Sequence, residues 1–297
     1  MKKETLPFVG AATALITPMN GDTSVDYGAF GRLIDIQIDA GIDALLVLGT
    51  TGEPSTLSDS EKRECILFAA EKINGRVPLI VGTGTNDTKN TLTLSRFAAD
   101  SGADAVLLVT PYYNKTTNEG LVRHFSTVAD SCGCPVILYN IPARTGMDIP
   151  LSVYKKLAEH DNIVGVKEAS GNIGNICALL AEVGDTLAVY SGNDTETVPI
   201  MAAGGRGVFS VLSNIAPKDV VSLVSFMESG NFKAAADLSK RLSSLTRALF
   251  CEVNPIPVKA AAEMAGICSS ALRPPLCTIS KEHRILLEKE LKNTGII

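Results

Sequence analysis

The chain has 297 residues, 45% of them hydrophobic and 20% charged, with a net charge of −5. That length buries a large core in one big domain or two smaller ones. The acidic balance argues against nucleic acid or an anionic membrane as partner, but not against small anionic substrates, which need only a local cation.

Seven cysteines are scattered, and only Cys132 and Cys134 form a close pair. No second pair with zinc spacing follows and the chain has three histidines, so no metal site and no cofactor is expected. The thiols read as reduced core residues of a cytoplasmic protein. Met1-Lys2-Lys3 followed by the apolar run Phe8-Val9-Gly10-Ala11-Ala12 imitates a short signal peptide, but Glu4 and Pro7 break the pattern and secretion is not expected. No apolar run approaches the ~20 residues that span a bilayer.

In chain order, Phe8 to Pro18 reads as a first strand, closed by Pro18 and the turn Asn20-Gly21-Asp22. Phe30, Leu33, Ile34 and Ile38 recur at helical spacing between Tyr27 and Ala40, and Gly41 stops that helix. Ala44 to Leu48 is a strand running into Gly49-Thr50-Thr51-Gly52-Glu53. Ser58 opens a helix through Ile73, with Glu61 completing a capping box. Pro78 to Val81 is a strand, and Asn86 or Asp87 opens the helix through Asp100. Strand Ala105–Val109 leads to Thr110-Pro111-Tyr112-Tyr113-Asn114 and a helix from Asn118 to Ser131. Strand Pro135–Tyr139 leads to Asn140-Ile141-Pro142-Ala143-Arg144-Thr145-Gly146 and a helix from Leu151 to Glu159. Next come the strand Ile163-Val164-Gly165-Val166 ending in Lys167-Glu168, a helix around Ile176 to Ala181, and the strand Leu187–Tyr190 ending in Ser191-Gly192-Asn193-Asp194. A helix through Ala203 precedes the last strand, Gly207 to Val211.

Strands and helices thus alternate eight times, at roughly the spacing of a βα unit. Short buried strands joined by helices require a parallel sheet. The count and length predict a closed (β/α)8 TIM barrel, for which ~250 residues is typical. A doubly wound open sheet is the alternative, but the turn after strand one, Thr17-Pro18-Met19-Asn20-Gly21, lacks the glycine pattern that fold usually carries there. Residues 216–227 complete the barrel, and three further helices over 231–250, 257–264 and 280–292 follow without strands. Residues 1–230 are therefore read as the catalytic barrel and 231–297 as a C-terminal helical appendage.

In such a barrel the C-terminal strand ends converge on one face. The residues brought there are Thr50, Thr51, Tyr113, Tyr139, Arg144, Lys167, Gly192 and Asn193. Lys167 is the candidate centre, because an ammonium at the end of a buried strand is costly without a task or a partner. Glu168 either pairs with it or points to the opposite side. Burial lowers a lysine pKa from its usual ~10.4 and frees the amine to attack a carbonyl as a Schiff-base nucleophile. The resulting imine acidifies the neighbouring carbon, which can then act as an enamine or be a site of C–C cleavage. That chemistry needs a proton shuttle. His124, His160 and His283 fall on or beside helices, so the role passes to the tyrosines, with Tyr139 favoured because its strand adjoins that of Lys167. Thr51 and Tyr113 are candidates to extend a hydroxyl relay. The glycine-exposed N–H groups and hydroxyls of residues 49–53 suit a carboxylate or oxyanion, and Arg144 suits a two-point carboxylate clamp.

With these residues assembled, the chain resembles the dihydrodipicolinate synthase / N-acetylneuraminate lyase family of class I aldolases over nearly its whole length. The motifs that carry the likeness are Gly49-Thr50-Thr51-Gly52-Glu53, Val166-Lys167-Glu168-Ala169-Ser170 and Ser191-Gly192-Asn193-Asp194. Pro111-Tyr112-Tyr113-Asn114-Lys115 and the Arg144 loop resemble the synthase branch, since the sialic-acid lyases lack that arginine. The resemblance implies that pyruvate condenses with Lys167, becomes an enamine and attacks L-aspartate 4-semialdehyde to give 4-hydroxy-tetrahydrodipicolinate, a lysine and diaminopimelate precursor. It implies Tyr139 as proton carrier, with Thr51 and a Tyr113 lent by the neighbouring subunit completing the relay. It further implies Arg144 on the semialdehyde carboxylate, Thr50 and Thr51 on the pyruvate carboxylate, Gly192 in the substrate site, the Phe209 backbone beside the lysine, and a homotetramer. Asn114-Lys115-Thr116-Thr117 departs from the Asn-Lys-Pro-Thr of many members. Lysine-inhibited members carry histidine and glutamate in an allosteric cleft where this chain has Asp59, Lys62 and Asn90, although Asn86 and Tyr112 remain, so feedback by lysine is expected to be weak or absent. Two alternatives stay open: a pyruvate-dependent aldolase acting on a sugar acid, and a non-catalytic keto-acid-binding barrel.

Overall fold

The structure, a computed structural model, describes residues 6–297; the signal-like Met1-Lys2-Lys3 start lies outside the described residues. Short aliphatic runs supply the strands β1 (Gly10–Ala14), β2 (Ala44–Val47), β3 (Leu79–Gly82), β4 (Ala105–Val109), β5 (Val136–Asn140), β6 (Ile163–Glu168), β7 (Ala188–Ser191) and β8 (Gly207–Ser210). They are buried almost throughout, as strands with both faces covered must be. Among the described residues these eight strands follow one another in order around a closed parallel barrel, the architecture the alternation predicts; the open doubly wound sheet is excluded. β1 is shorter than the run Phe8–Pro18 suggested: after the Leu15 amide donates to the Leu46 carbonyl at 3.0 Å the chain leaves the ladder, and Pro18 has no N–H to continue it.

The helices are α1 (Tyr27–Asp39), α2 (Asp59–Ile73), α3 (Thr88–Asp100), α4 (Asn118–Ala129), α5 (Pro142–Thr145), α6 (Leu151–Leu157), α7 (Ile173–Val183), α8 (Thr197–Ala202), α9 (Pro217–Glu228), α10 (Phe232–Ala248), α11 (Ile256–Met264) and α12 (Lys281–Thr294). Local chemistry sets many of their starts. Ser58 and Glu61 form the predicted capping box on α2, and Asp87, not Asn86, caps α3 by accepting from Lys89 and Asn90. The four-residue α5 was not visible in the sequence; Pro142 starts it and Gly146, at φ 66°, closes it. Among the described residues no helix is long and apolar enough to cross a membrane.

The chain divides into two compact units, one running to Gly10 and resuming over Pro78–Phe209, the other joining Ala11–Val77 to Ser210–Ile297. In the first unit, one row of paired residues runs across the strands: Val109 opposite Tyr139, Tyr139 opposite Lys167, Lys167 opposite Tyr190, and Tyr190 opposite Gly207, the first residue of β8. The row depends on an irregularity. Val136 pairs with Ile163 but Ile137 pairs with Gly165, so β6 carries one residue more than β5 at Val164. Regular pairing onward from Ile163 would have set Tyr139 opposite Val166; the bulge sets it opposite Lys167. Below the row, Phe8 stacks on Tyr190 at 4.5 Å, the Tyr190 hydroxyl donates to the Phe8 carbonyl at 2.6 Å, and Phe209 meets both rings edge-on.

In the second unit a buried amide network ties distant segments. Asn214 accepts from the Ile16 amide at 3.0 Å and donates to the Ala14 carbonyl at 2.9 Å. Gln37 accepts from Thr13 at 2.6 Å and donates to the Ser213 carbonyl at 2.9 Å. Each polar group lost from water thus finds a partner. Helix α10 packs on α9 and α12, and α11 on α12.

Candidate active site

Lys167 sits five residues into β6, where an all-apolar strand carries it into the barrel with 5% of its surface exposed. Its Nζ lies over the Tyr139 ring, 4.3 Å from the centroid, and 5.3 Å from the centroid of Phe209. Burial lowers its pKa to about 7; the Asp194 carboxylate opposes that shift and the Arg144 guanidinium adds to it. An amine so placed is largely deprotonated just above neutral pH, the state that attacks a carbonyl.

Glu168 settles the alternative left open by the sequence. Successive strand residues face opposite ways, and Glu168 turns away from the amine into its own buried cluster. It accepts from the Tyr154 hydroxyl at 3.0 Å, from the Ser170 amide at 2.8 Å and from Asn140 Nδ2 at 3.2 Å. Burial nonetheless raises its pKa, against the pull of those donors.

Gly192 leaves the space that the lysine stem occupies. A Cβ there would stand 2.8 Å from the Ala169 Cβ, 3.1 Å from the Glu168 carbonyl and 3.2 Å from the Lys167 Cε. Its amide donates to that same Glu168 carbonyl at 2.7 Å, so the loop after β7 is drawn tight against the end of β6. Asn193 donates to Glu196 at 2.9 Å. Tyr139 is 5% exposed. Arg144 is exposed, on α5, close enough for its charge to act on Lys167. Tyr113 behaves differently: it is 92% exposed and held at φ 68°, so within its own chain the phenol faces solvent. Lys167, Tyr139, Phe209, Arg144 and Gly192 therefore gather in the first unit, and Tyr113 of the same chain does not join the buried cluster.

Thr50 and Thr51 belong to the second unit, in a 3-10 turn over Thr50–Gly52 after β2. Thr51 is buried and its Oγ1 accepts from Asn254 Nδ2 at 2.9 Å. Thr17 donates to the Gly52 carbonyl at 2.7 Å. Glu53 takes the left-handed conformation at φ 55° and meets Lys259, whose fully buried ammonium donates to Glu53 Oε1 at 2.5 Å and to the Ala271 carbonyl at 2.7 Å. The Arg273 amide donates to Glu53 Oε2 at 3.2 Å, and its guanidinium grips Glu61 and the Thr23 and Thr56 carbonyls. Sequence reasoning missed Asn254, Lys259 and Arg273. One signal was available: Lys259 stands alone among Val258, Ala260, Ala261 and Ala262, and a lone cation in an apolar helix requires a buried acid. Among the described residues no cluster of three or more His, Cys, Asp or Glu side chains is arranged to hold a metal ion.

Comparison with known proteins gives a consistent result. The sequence model of the dihydrodipicolinate synthetase family matches residues 7–294. The 4-hydroxy-tetrahydrodipicolinate synthase of Kosmotoga olearia is 45% identical over 293 residues, covering 98% of this chain and 99% of its own. The chloride-inhibited dihydrodipicolinate synthase of Acinetobacter baumannii, solved in complex with pyruvate, superposes with a TM-score of 0.96 at 40% identity, over 97% of this chain and 99% of that one. A monomeric dihydrodipicolinate synthase variant superposes equally well, with a TM-score of 0.96 at 39% identity over 98% of each chain.

Proposed function

The chain belongs to the dihydrodipicolinate synthetase family, and from that premise we propose that it is a Schiff-base lyase condensing pyruvate with L-aspartate 4-semialdehyde to 4-hydroxy-tetrahydrodipicolinate, for lysine and diaminopimelate biosynthesis. The observation that carries the reading is the amine of Lys167, buried over Tyr139 with its pKa lowered to about 7. That amine attacks the pyruvate ketone and expels water. Loss of a proton from the methyl carbon of the imine gives the enamine, whose carbon attacks the aldehyde; the semialdehyde's own amine then adds to the imine carbon and displaces Lys167, closing the ring and freeing the enzyme.

Each step moves a proton, and Tyr139 is the carrier that the 4.3 Å approach to Lys167 supports. Thr51 and Tyr113 extend the relay, and the near-complete exposure of Tyr113 in its own chain supports its being lent to a neighbouring subunit. Thr50 and Thr51 hold the pyruvate carboxylate. Arg144 binds the carboxylate of the semialdehyde, and Gly192 and Phe209 shape the pocket around the lysine. A homotetramer in the cytoplasm, using no cofactor, completes the reading, with residues 1–230 as the catalytic barrel and 231–297 as its helical appendage.

The test is the intact mass after borohydride reduction with pyruvate. Wild type should carry one pyruvyl adduct and Lys167→Ala none; absence of an adduct on wild type removes the mechanism, and with it the distinction from a barrel that merely binds keto acids. An aldolase for sugar acids is separated by Arg144→Ala, which should cripple condensation with the semialdehyde and leave the pyruvyl adduct intact. Unchanged condensation would refute the role given to Arg144.

A further inference from the structure

The turn that carries Thr51 is fixed by more contacts than its backbone requires. Thr17 holds the Gly52 carbonyl at 2.7 Å. Glu53 is held through one carboxylate oxygen by Lys259 and through the other by the Arg273 amide. Asn254 does something else. Its Nδ2 reaches the Thr51 hydroxyl oxygen at 2.9 Å, across 203 residues of sequence, with Thr51 3% and Asn254 7% exposed. That bond anchors no backbone group and ends on a hydroxyl alone.

A hydroxyl has one proton to give and two lone pairs to receive, and it rotates to suit its partners. An amide NH2 can only donate. With Asn254 donating into Oγ1, the Thr51 proton has to be offered to a different partner, so the free rotor becomes a donor of fixed polarity. We propose that Asn254 is a positioning residue for the condensation: its amide sets the direction in which the Thr51 hydroxyl gives its proton. The proposal rests on the reading of Thr51 as a member of the proton relay. It places the stretch entering α11 in the machinery, because Asn254 and Lys259 lie five residues apart and hold two positions of one turn, Thr51 and Glu53.

The experiment is steady-state condensation by the full chain, with Asn254→Ala, Asn254→Asp and Thr51→Val, alone and combined, each profiled from acid to alkali relative to wild type. Asn254→Ala removes the donor and should lower kcat by about tenfold, the worth of one buried hydrogen bond. An ionised aspartate is acceptor-only and should claim the Thr51 proton, so Asn254→Asp should lose more than Asn254→Ala in alkali. It should recover toward acid as the carboxyl takes up a proton and becomes a donor. The other charged groups of these stretches are already engaged: Glu53 with Lys259 and Arg273, and Glu252 with His283 at 2.7 Å. In a Thr51→Val background neither Asn254 change should cost anything further. An equal loss in both backgrounds makes Asn254 a structural group and overturns the inference while leaving the reading of Thr51 intact. Wild-type kcat for Thr51→Val removes both. If the aspartate variant does not fold, the cycle of Asn254→Ala with Thr51→Val decides alone.

Discussion

Replacing Lys167 with methionine should make the protein more stable, and more so in acid than in alkali. The amine is buried, and its pKa falls from 10.5 to about 7 on folding even though the Asp194 carboxylate opposes the shift. Between those values the unfolded chain binds a proton that the folded chain does not, so stability rises with pH across that window. Below pH 7 both states are protonated and the folded state bears the full cost of a buried ammonium; above 10.5 both are neutral and the cost is gone. Each tenfold loss of proton affinity on folding is worth ~1.4 kcal/mol, so the cost is about 5 kcal/mol at pH 6 and about 1 kcal/mol at pH 10. Methionine has a similar length and no charge, and its sulfur suits the Tyr139 and Phe209 rings now facing the amine. Urea unfolding of wild type and variant at the two pH values measures the difference. A stability gain that is the same at both, or a loss at pH 6, would refute the argument that desolvation is what depresses this pKa.

Gly192→Ala should sharply reduce the borohydride-trapped pyruvyl adduct and lower kcat by at least about tenfold, because the new methyl would press on Ala169 and on the lysine stem at 3.2 Å; an adduct at wild-type yield would contradict that geometry. Lys259→Met leaves Glu53 as a buried carboxylate without its cation and should cost about 3–5 kcal/mol in urea unfolding. Adding Glu53→Gln should return part of that loss, and an unchanged midpoint for the single variant would show the pair to be dispensable. Free lysine should inhibit weakly or not at all. Lys62 is engaged with Asp59 at 3.3 Å, and Asn90, where inhibited relatives place a carboxylate, donates to Asp87 at 3.3 Å. Sub-millimolar inhibition in a steady-state assay would count against this reading of the cleft.

What was legible in the sequence is what depends on neighbours a few residues away. The Ser58–Glu61 capping box spans one turn, and the βα alternation is a local period, so both could be read directly. Lys167 was legible for a related reason: an ammonium ending an apolar run is conspicuous wherever the run leads. The direction of Glu168 was available too, since strand neighbours face opposite ways, although an ion pair with the adjacent lysine competes with that rule. The Asn254–Thr51 bond was not legible, because it joins residues 203 apart and asparagine before proline reads as an ordinary turn. Nor was the register of β6, where every residue through Val166 is apolar or glycine and no alternation marks the extra one.

That extra residue gives β6 an unusual tolerance of length. Excising one residue from a strand ordinarily turns every later side chain over to the other face. Val164 is the residue the ladder already passes over, with Ile163 and Gly165 facing consecutive partners on β5. A chain lacking it would keep Gly165 to Glu168 opposite Ile137 to Asn140, with Lys167 still level with Tyr139. Loss of Gly165 or Val166 would also keep Lys167 opposite Tyr139, but it would bring Val164 into the place of Gly165, where a Cβ stands 2.9 Å from the Ala188 carbonyl and 3.2 Å from the Tyr190 ring. The strand thus has one place where descendants can shed a codon without that clash, three positions before the proposed nucleophile.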